Sequence, residues 1–321
     1  MVRDVVKMKD IQFEKGLFEN WMTGKIMDEL LCSYKGLPKG VNYMVIGDPG
    51  VGKTTIILDL LSDLSLYNSA KVLFVSAEMN EIDLAIYVQR FPKFQNLDIL
   101  FVEGEFEQEP HSCKTLERLS AILDQGWDVV AIDSFYELQG IIKEEENITL
   151  KKAESMLLSL MKQQSKGGNS KSINTTFLTI QQVTKSGAFV GSNCLKHSIT
   201  AMMELRLENP KNIYSDRYAV FTKHRRGDVG VRLYYDLGAT GDVFYNEERY
   251  RNDQQIRRLQ SNAANSIRNL ADQFDLLFNS INTDTQSVFQ ARSVVKWDAD
   301  SAPRLSAVRC EILPHPRCSV R

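Results

Sequence analysis

The chain has no cysteines paired at a CxxC spacing, no excess of positive charge, and no apolar run near the about 20 residues of a membrane-spanning helix. Each absence excludes a class of protein. Its five cysteines, Cys32, Cys113, Cys194, Cys310 and Cys318, are scattered through 321 residues, which suits a reducing compartment and not a disulfide framework. Cys310, His315 and Cys318 stand close together but lack the second half of a zinc site. Lys and Arg number 39 against 41 Asp and Glu, a formal charge of −2. Any contact with nucleic acid therefore has to come from a local patch and not from a global basic field. The N-terminus lacks the apolar core of a secretory leader, so a soluble, cytoplasmic protein without membrane partners is expected. Hydrophobic residues make up 43% of the chain, enough to build one large α/β domain with extensions.

What is present is a regular alternation. Short apolar runs at Tyr43–Ile46, Val72–Ser76, Ile99–Val102, Val129–Ile132 and Thr176–Ile180 are separated by segments of helical period, among them Asp83–Arg90, Thr115–Leu123 and Leu150–Gln163. That order predicts a mostly parallel sheet with helices on both faces. After residue 198 the texture changes to consecutive strands, Ala201–Leu207, Tyr218–Thr222 and Val231–Tyr235, which predict an antiparallel extension. Residues 252–278 carry a broken apolar stripe (Ile256, Leu259, Ile267, Leu270, Phe274, Leu277) and read as a helix or helical pair. Periodicity fades beyond Ile281, and Pro303, Pro314 and Pro316 predict a partly disordered tail. The expected organisation is an N-terminal extension over 1–22, an α/β domain over 23–250, and a helical segment with a tail over 251–321.

The strongest local signal is Gly47-Asp48-Pro49-Gly50-Val51-Gly52-Lys53-Thr54, followed by Thr55 and preceded by the apolar run Tyr43–Ile46. This is the GxxxxGK[ST] spacing in the context that makes it a phosphate cradle. The Gly-rich turn aims backbone N–H groups inward, and the next helix offers its positive end to the same anion. Lys53 is placed for the β- and γ-phosphates and Thr54 for a magnesium ion, so ATP and Mg²⁺ are the expected ligands.

Two other strands close on acids. Val129–Ile132 runs into Asp133, either a metal-site carboxylate or a solvated acid at a strand end; with the cradle upstream it is assigned to the metal site. Leu73–Ser76 leads to Glu78, which either faces the γ-phosphate as water-positioning base or caps the helix beginning near residue 80. Gln182, at the end of another strand, either senses the γ-phosphate or simply closes the strand. Lys223-His224-Arg225-Arg226 forms a short basic cluster after a strand, which taken alone is also what a solvated turn contains.

Taken in order, these pieces resemble a family. Thr23-Gly24 through Asp28-Glu29-Leu30, Gly36-Leu37-Pro38-Lys39-Gly40, the cradle, Ser76-Ala77-Glu78-Met79, Val183-Thr184-Lys185-Ser186-Gly187 and Lys223-His224-Arg225-Arg226-Gly227 are similar to the corresponding stretches of the RecA superfamily. The match is to ATPases of RadA/Sms type and to DnaB-type helicases, over about residues 20–245. The resemblance implies a RecA-like P-loop NTPase core, a homo-oligomeric ring of six copies, and single-stranded DNA as a partner. It implies that Lys223 and Arg225 project into a neighbouring copy's nucleotide. It also implies that the loop carrying Lys185, Ser186, Gly187, Phe189 and Lys196 contacts DNA, the lysines through phosphates and Phe189 by base stacking.

The departures are as specific as the matches. No four-cysteine module precedes residue 20, residues 251–321 are too short for the protease-like domain of RadA, and no DnaB-type helical domain is present. Gln182 stands where RadA has histidine, and Arg226 replaces a phenylalanine. The expectation is a stripped motor core acting in a bacterial or phage-infected cell, with a KaiC-like regulatory ATPase or a nucleotide-dependent assembly factor as the alternatives.

Overall fold

The computed structural model describes residues 7–11, 15–102, 113–182 and 193–292. Nine strands form one sheet in the order β3-β2-β4-β5-β1-β6-β7-β8-β9. The first five are β1 (Asn42–Gly47), β2 (Val72–Ser76), β3 (Asp98–Phe101), β4 (Val129–Asp133) and β5 (Thr176–Gln181). All pair in parallel, as their alternation with helices requires. β6 (Ala201–Leu207) corrects one expectation. It does begin the antiparallel extension by pairing with the strand that follows it, but its other edge is parallel, in register with β1 from Tyr43↔Ala201 to Gly47↔Leu205. The rest of the antiparallel part consists of β7 (Arg217–His224), β8 (Arg232–Leu237) and β9 (Val243–Tyr245).

The inner parallel strands are mostly apolar because both faces are covered, whereas the edge strand β3 is only partly buried. Successive side chains of β1 take opposite sides: Tyr43 and Val45 join one core with Ile56, Leu60 and Leu64 of α2 (Lys53–Asn68), while Met44 and Ile46 join the other. The second core is closed by α4 (Thr115–Asp124), α5 (Phe135–Glu145) and α6 (Leu150–Gln164), through Leu119, Phe135, Leu138, Ile142 and Leu157. On the α2 side lie the short α1 (Met27–Leu31) and α3 (Glu81–Arg90), which bury Leu30 and Leu84. The six-residue α7 (Asn193–Ser198) precedes β6.

β1 has β5 on one side and β6 on the other, with the chain crossing to opposite flanks from it. The crevice at the carboxyl ends of such strands is where an open α/β sheet receives ligands.

The chain divides into two compact units, residues 1–257 and 258–321. α8 (Glu247–Arg292) is one helix, neither a pair nor ended where the apolar period fades. Its first turns belong to the first unit: Tyr250 is buried, Arg249 pairs with Glu208 and Asp216, and Arg257 donates to the carbonyls of Val229 and Gly230. In the second unit the stripe residues Leu259, Ile267, Leu270 and Phe274 are exposed. The expected tail beyond Arg292 lies outside the described residues.

Candidate functional site

The cradle is shaped by close approach. Gly52 caps the start of α2 with φ of +96°, and a Cβ there would stand 2.6 Å from Leu237 Cδ1. A Cβ at Gly47 would stand 2.4 Å from the carbonyl oxygen of Leu205. Any side chain at either glycine would push the turn away from β6 or β8, so the sequence uses glycine at both. Gly47, Pro49, Gly50, Gly52, Lys53, Thr54 and Thr55 line a cleft of about 500 Å³ together with Glu78, Asp133 and Gln182. Two predicted cradle residues do not line it. Asp48 contributes its carbonyl to Lys53, and the Val51 side chain is a core residue whose carbonyl accepts the Tyr235 hydroxyl at 2.7 Å.

Within the cleft, Thr54 donates its hydroxyl to Asp133 Oδ2 at 2.6 Å. Asp133 is only 3% exposed, so the solvated-acid reading of this strand end is wrong. Burial pushes its carboxyl up to about 6; the Thr54 hydrogen bond and Lys53 pull it back, while Glu78 reinforces the rise. Lys53 folds onto its own turn, donating to the carbonyls of Gly47 at 2.9 Å and Asp48 at 3.1 Å. Burial also holds its ammonium below the usual lysine range, against the pull of Asp133, Glu78 and Asp48. An ammonium held by two carbonyls in a partly dry cleft is preorganised for an anion. A hydroxyl and a carboxylate side by side are the hard oxygen donors that suit Mg²⁺. The residues present therefore fit a magnesium nucleotide.

The alternatives at Glu78 also separate. The cap of α3 is Asn80, whose side chain accepts from the Asp83 amide at 2.8 Å, and Glu78 is exposed to the cleft. Gln182 follows β5 and lines the same cleft, while its neighbour Gln181 is fully buried in the strand.

One wall was not anticipated. Tyr87, Arg90 and Phe91 from the end of α3, with Leu237 from the end of β8, close the cleft beside the cradle. The Tyr87 hydroxyl lies 2.6 Å from Thr55 Oγ1, and Arg90 sits over the Phe91 ring at 4.9 Å. Aromatic residues on an amphipathic helix read as core from sequence, and no motif spacing marks Leu237.

Lys223 and Arg225 do not line the cleft of their own chain. Lys223 donates to the carbonyls of Lys196 and Ile199, and Arg225 to that of His197 at 2.9 Å, so both cations rest on the last carbonyls of α7. Between them His224 turns inward, edge-on to Tyr43, with Nε2 3.0 Å from the Leu31 carbonyl. The Arg226 carbonyl accepts from the Ser33 amide at 2.9 Å and from Cys32 Sγ at 3.2 Å. The basic cluster is thus a fixed turn and not a loosely solvated one. Lys196 is exposed on α7; Lys185, Ser186, Gly187 and Phe189 lie outside the described residues.

The chain is similar to several known proteins. A family profile described as an AAA domain matches residues 29–164. The DNA repair protein RadA of Campylobacter jejuni is 26% identical over 206 residues, covering 64% of this chain and 42% of that protein. RadA of Aquifex aeolicus is 23% identical over 195 residues, covering 61% and 39%. The chain thus spans less than half the length of the RadA relatives it matches. Among solved structures, a KaiC-like protein of Pyrococcus horikoshii superposes with a TM-score of 0.54 at 16% identity, covering 71% of this chain and 99% of that one. The flagellar accessory protein FlaH of Methanocaldococcus jannaschii does so with 0.50 at 14% identity, covering 69% and 95%.

Proposed function

We propose, on the premise that the chain carries a RecA-superfamily ATPase core, that this protein hydrolyses ATP to move along or remodel single-stranded DNA. The observation that carries the ATPase part is the 2.6 Å contact of Thr54 with Asp133 in the cleft that Lys53, Glu78 and Gln182 also line. The likeness to RadA supports DNA as the partner. Net charge does not.

Lys53 exchanges its two loop carbonyls for the β- and γ-phosphates. Thr54, and Asp133 through water, would hold Mg²⁺, which supplies charge neutralisation on the phosphates when bound. Glu78 accepts the proton of the attacking water and sets its line of approach. Gln182 reads the γ-phosphate at the start of the segment that leads to Lys196. Lys223 and Arg225 complete the site of an adjacent copy, where their charges stabilise the transferring phosphoryl group. An alternative, a KaiC-like regulatory ATPase or an assembly factor using ATP as a latch, rests on the same fold and the same cleft. It differs in having no use for DNA.

Two variants separate binding from chemistry. Glu78→Gln keeps ATP affinity within about twofold and lowers the hydrolysis rate at least about 100-fold, whereas Lys53→Ala loses affinity itself. Nucleotide titration and a steady-state phosphate assay measure both. Wild-type turnover by Glu78→Gln would overturn the role of that carboxylate.

A further inference from the structure

Further along α2 from the phosphate cradle, five charged residues meet. Asp59 and Asp63 are one turn apart on α2 and nearly inaccessible, at 1% and 3% exposed. Lys25 reaches both, at 2.7 Å and 2.8 Å. Lys93 reaches Asp59, Asp63 at 2.8 Å, and Asp242 at 3.2 Å. Burial raises the Asp59 carboxyl, which the hydrogen bonds from Lys25 and Lys93 oppose. Buried carboxylates without such partners would be severely destabilising.

Lys93 joins the two elements that build the unanticipated wall to the helix that starts in the cradle. Lys93 itself lies in the turn Pro92–Phe94 that directly follows α3, the helix bearing Tyr87 and Arg90. Asp59 and Asp63 belong to the helix that starts in the cradle. Asp242 lies in the turn between β8, which ends on Leu237, and β9. Aromatic packing stiffens the segment that bears Lys93: Tyr87, Phe91 and Phe94 are mutually in contact, with centroids 4.7 Å, 6.1 Å and 6.0 Å apart. Gly241, beside Asp242, comes so close to Phe94 that a Cβ would sit 2.8 Å from its ring, and its φ is +97°.

We infer that Lys93 is a positioning residue for the nucleotide: by tying the end of α3 to α2 and to the β8–β9 turn, it fixes the wall of Tyr87, Arg90, Phe91 and Leu237 at the distance from the cradle that a nucleoside requires. This inference rests on the cleft being a nucleotide site. The wall touches the part of the ligand that the cradle does not. Displacing it weakens the hold on base and ribose and leaves the hold on phosphate intact.

The test is calorimetric titration of the full-length protein with ATP and with inorganic tripolyphosphate, both with Mg²⁺. Lys93→Met is expected to weaken ATP by about tenfold while tripolyphosphate changes less than about twofold. Lys93→Arg keeps the charge and restores most of the loss. Because Lys93→Met leaves two buried carboxylates with one lysine, Asp242→Ala serves as a second variant. It removes only the half-exposed anchor and is expected to weaken ATP by about threefold with the same selectivity. Equal weakening of both ligands, or no change in either with both variants folded, would overturn the inference, as would wild-type protein binding the two ligands equally well. Wild-type protein binding tripolyphosphate and ATP not at all would overturn the nucleotide reading beneath it.

Discussion

Asp133 is the residue at which stability and function pull in opposite directions. Its carboxyl is raised from the ordinary 3.8 to about 6 because burial disfavours the charge. The folded chain therefore holds this proton more tightly than the unfolded chain. The contribution to stability is full below about pH 4 and is lost as pH rises through about 6. At neutral pH the ligand-free protein carries a buried, ionised carboxylate whose cost the Thr54 hydrogen bond and Lys53 only partly offset. Asp133→Asn is expected to raise the ligand-free melting midpoint at pH 7.5 by about 4 °C and to remove the further rise that Mg²⁺ and ATP give the wild type. Thermal scans with and without Mg²⁺ and ATP check both halves, and a lower ligand-free midpoint would contradict the burial argument. Lys53 and Thr54 were legible in the sequence because they occupy fixed positions of the cradle spacing at the start of α2, and Glu78 and Asp133 because they stand at or just past the end of an apolar strand, where a charged group has no packing role. Tyr87, Phe91 and Leu237 were not, since an apolar side chain lining a cleft has the same sequence signature as one filling a core. His224 was read as part of a basic cluster, yet its ring packs inward against Tyr43 and Phe221.

Among the elements, the first five of the six parallel strands were readable as short, mainly apolar runs, and the parallel pairing of β6 was not. Parallel or antiparallel pairing is decided by which strand lies beside which, and β6 joins β1 only because the chain crosses the sheet after β5. The helix α5 was also missed, although Ser134 and Glu137 three residues later carry the spacing of a capping box before Leu138 and Ile142. In the structure Ser134 caps the helix through the Glu137 amide, at 3.4 Å. α5 lies against α6 and the face of the sheet opposite the cradle, with Phe135, Leu138 and Ile142 fully buried. Its role is to hold β4, and thus Asp133, from behind. Leu138→Ala is expected to cost about 3 kcal/mol of stability, read as a lower urea midpoint, with ATP affinity of the folded protein unchanged. A cost below about 1 kcal/mol would show that the second core does not depend on this helix. For α8, a stripe broken at its centre allowed either one helix or two, and helical hydrogen bonding continues through the break to Arg292.

At the scale of the whole molecule, one cleft is lined by Lys53, Thr54, Glu78, Asp133 and Gln182, the groups to which the proposed function gives roles on one chain. Lys223 and Arg225 are on the same chain but rest on the carbonyls that end α7, away from their own cleft. Under the proposed function these groups serve a second copy, and α7 carries Lys196, one of the residues proposed to meet DNA. Nucleotide, neighbour and DNA would then act on one another through a few hydrogen bonds at the end of a single short helix. The measurement that tests this account most directly is steady-state ATP hydrolysis at low salt with and without single-stranded DNA, for the wild type, Lys53→Ala and Arg225→Ala. The account predicts at least about tenfold stimulation by DNA in the wild type and none in either variant, with Arg225→Ala still binding ATP. Hydrolysis that ignores DNA and survives Arg225→Ala would contradict both the motor and the shared site.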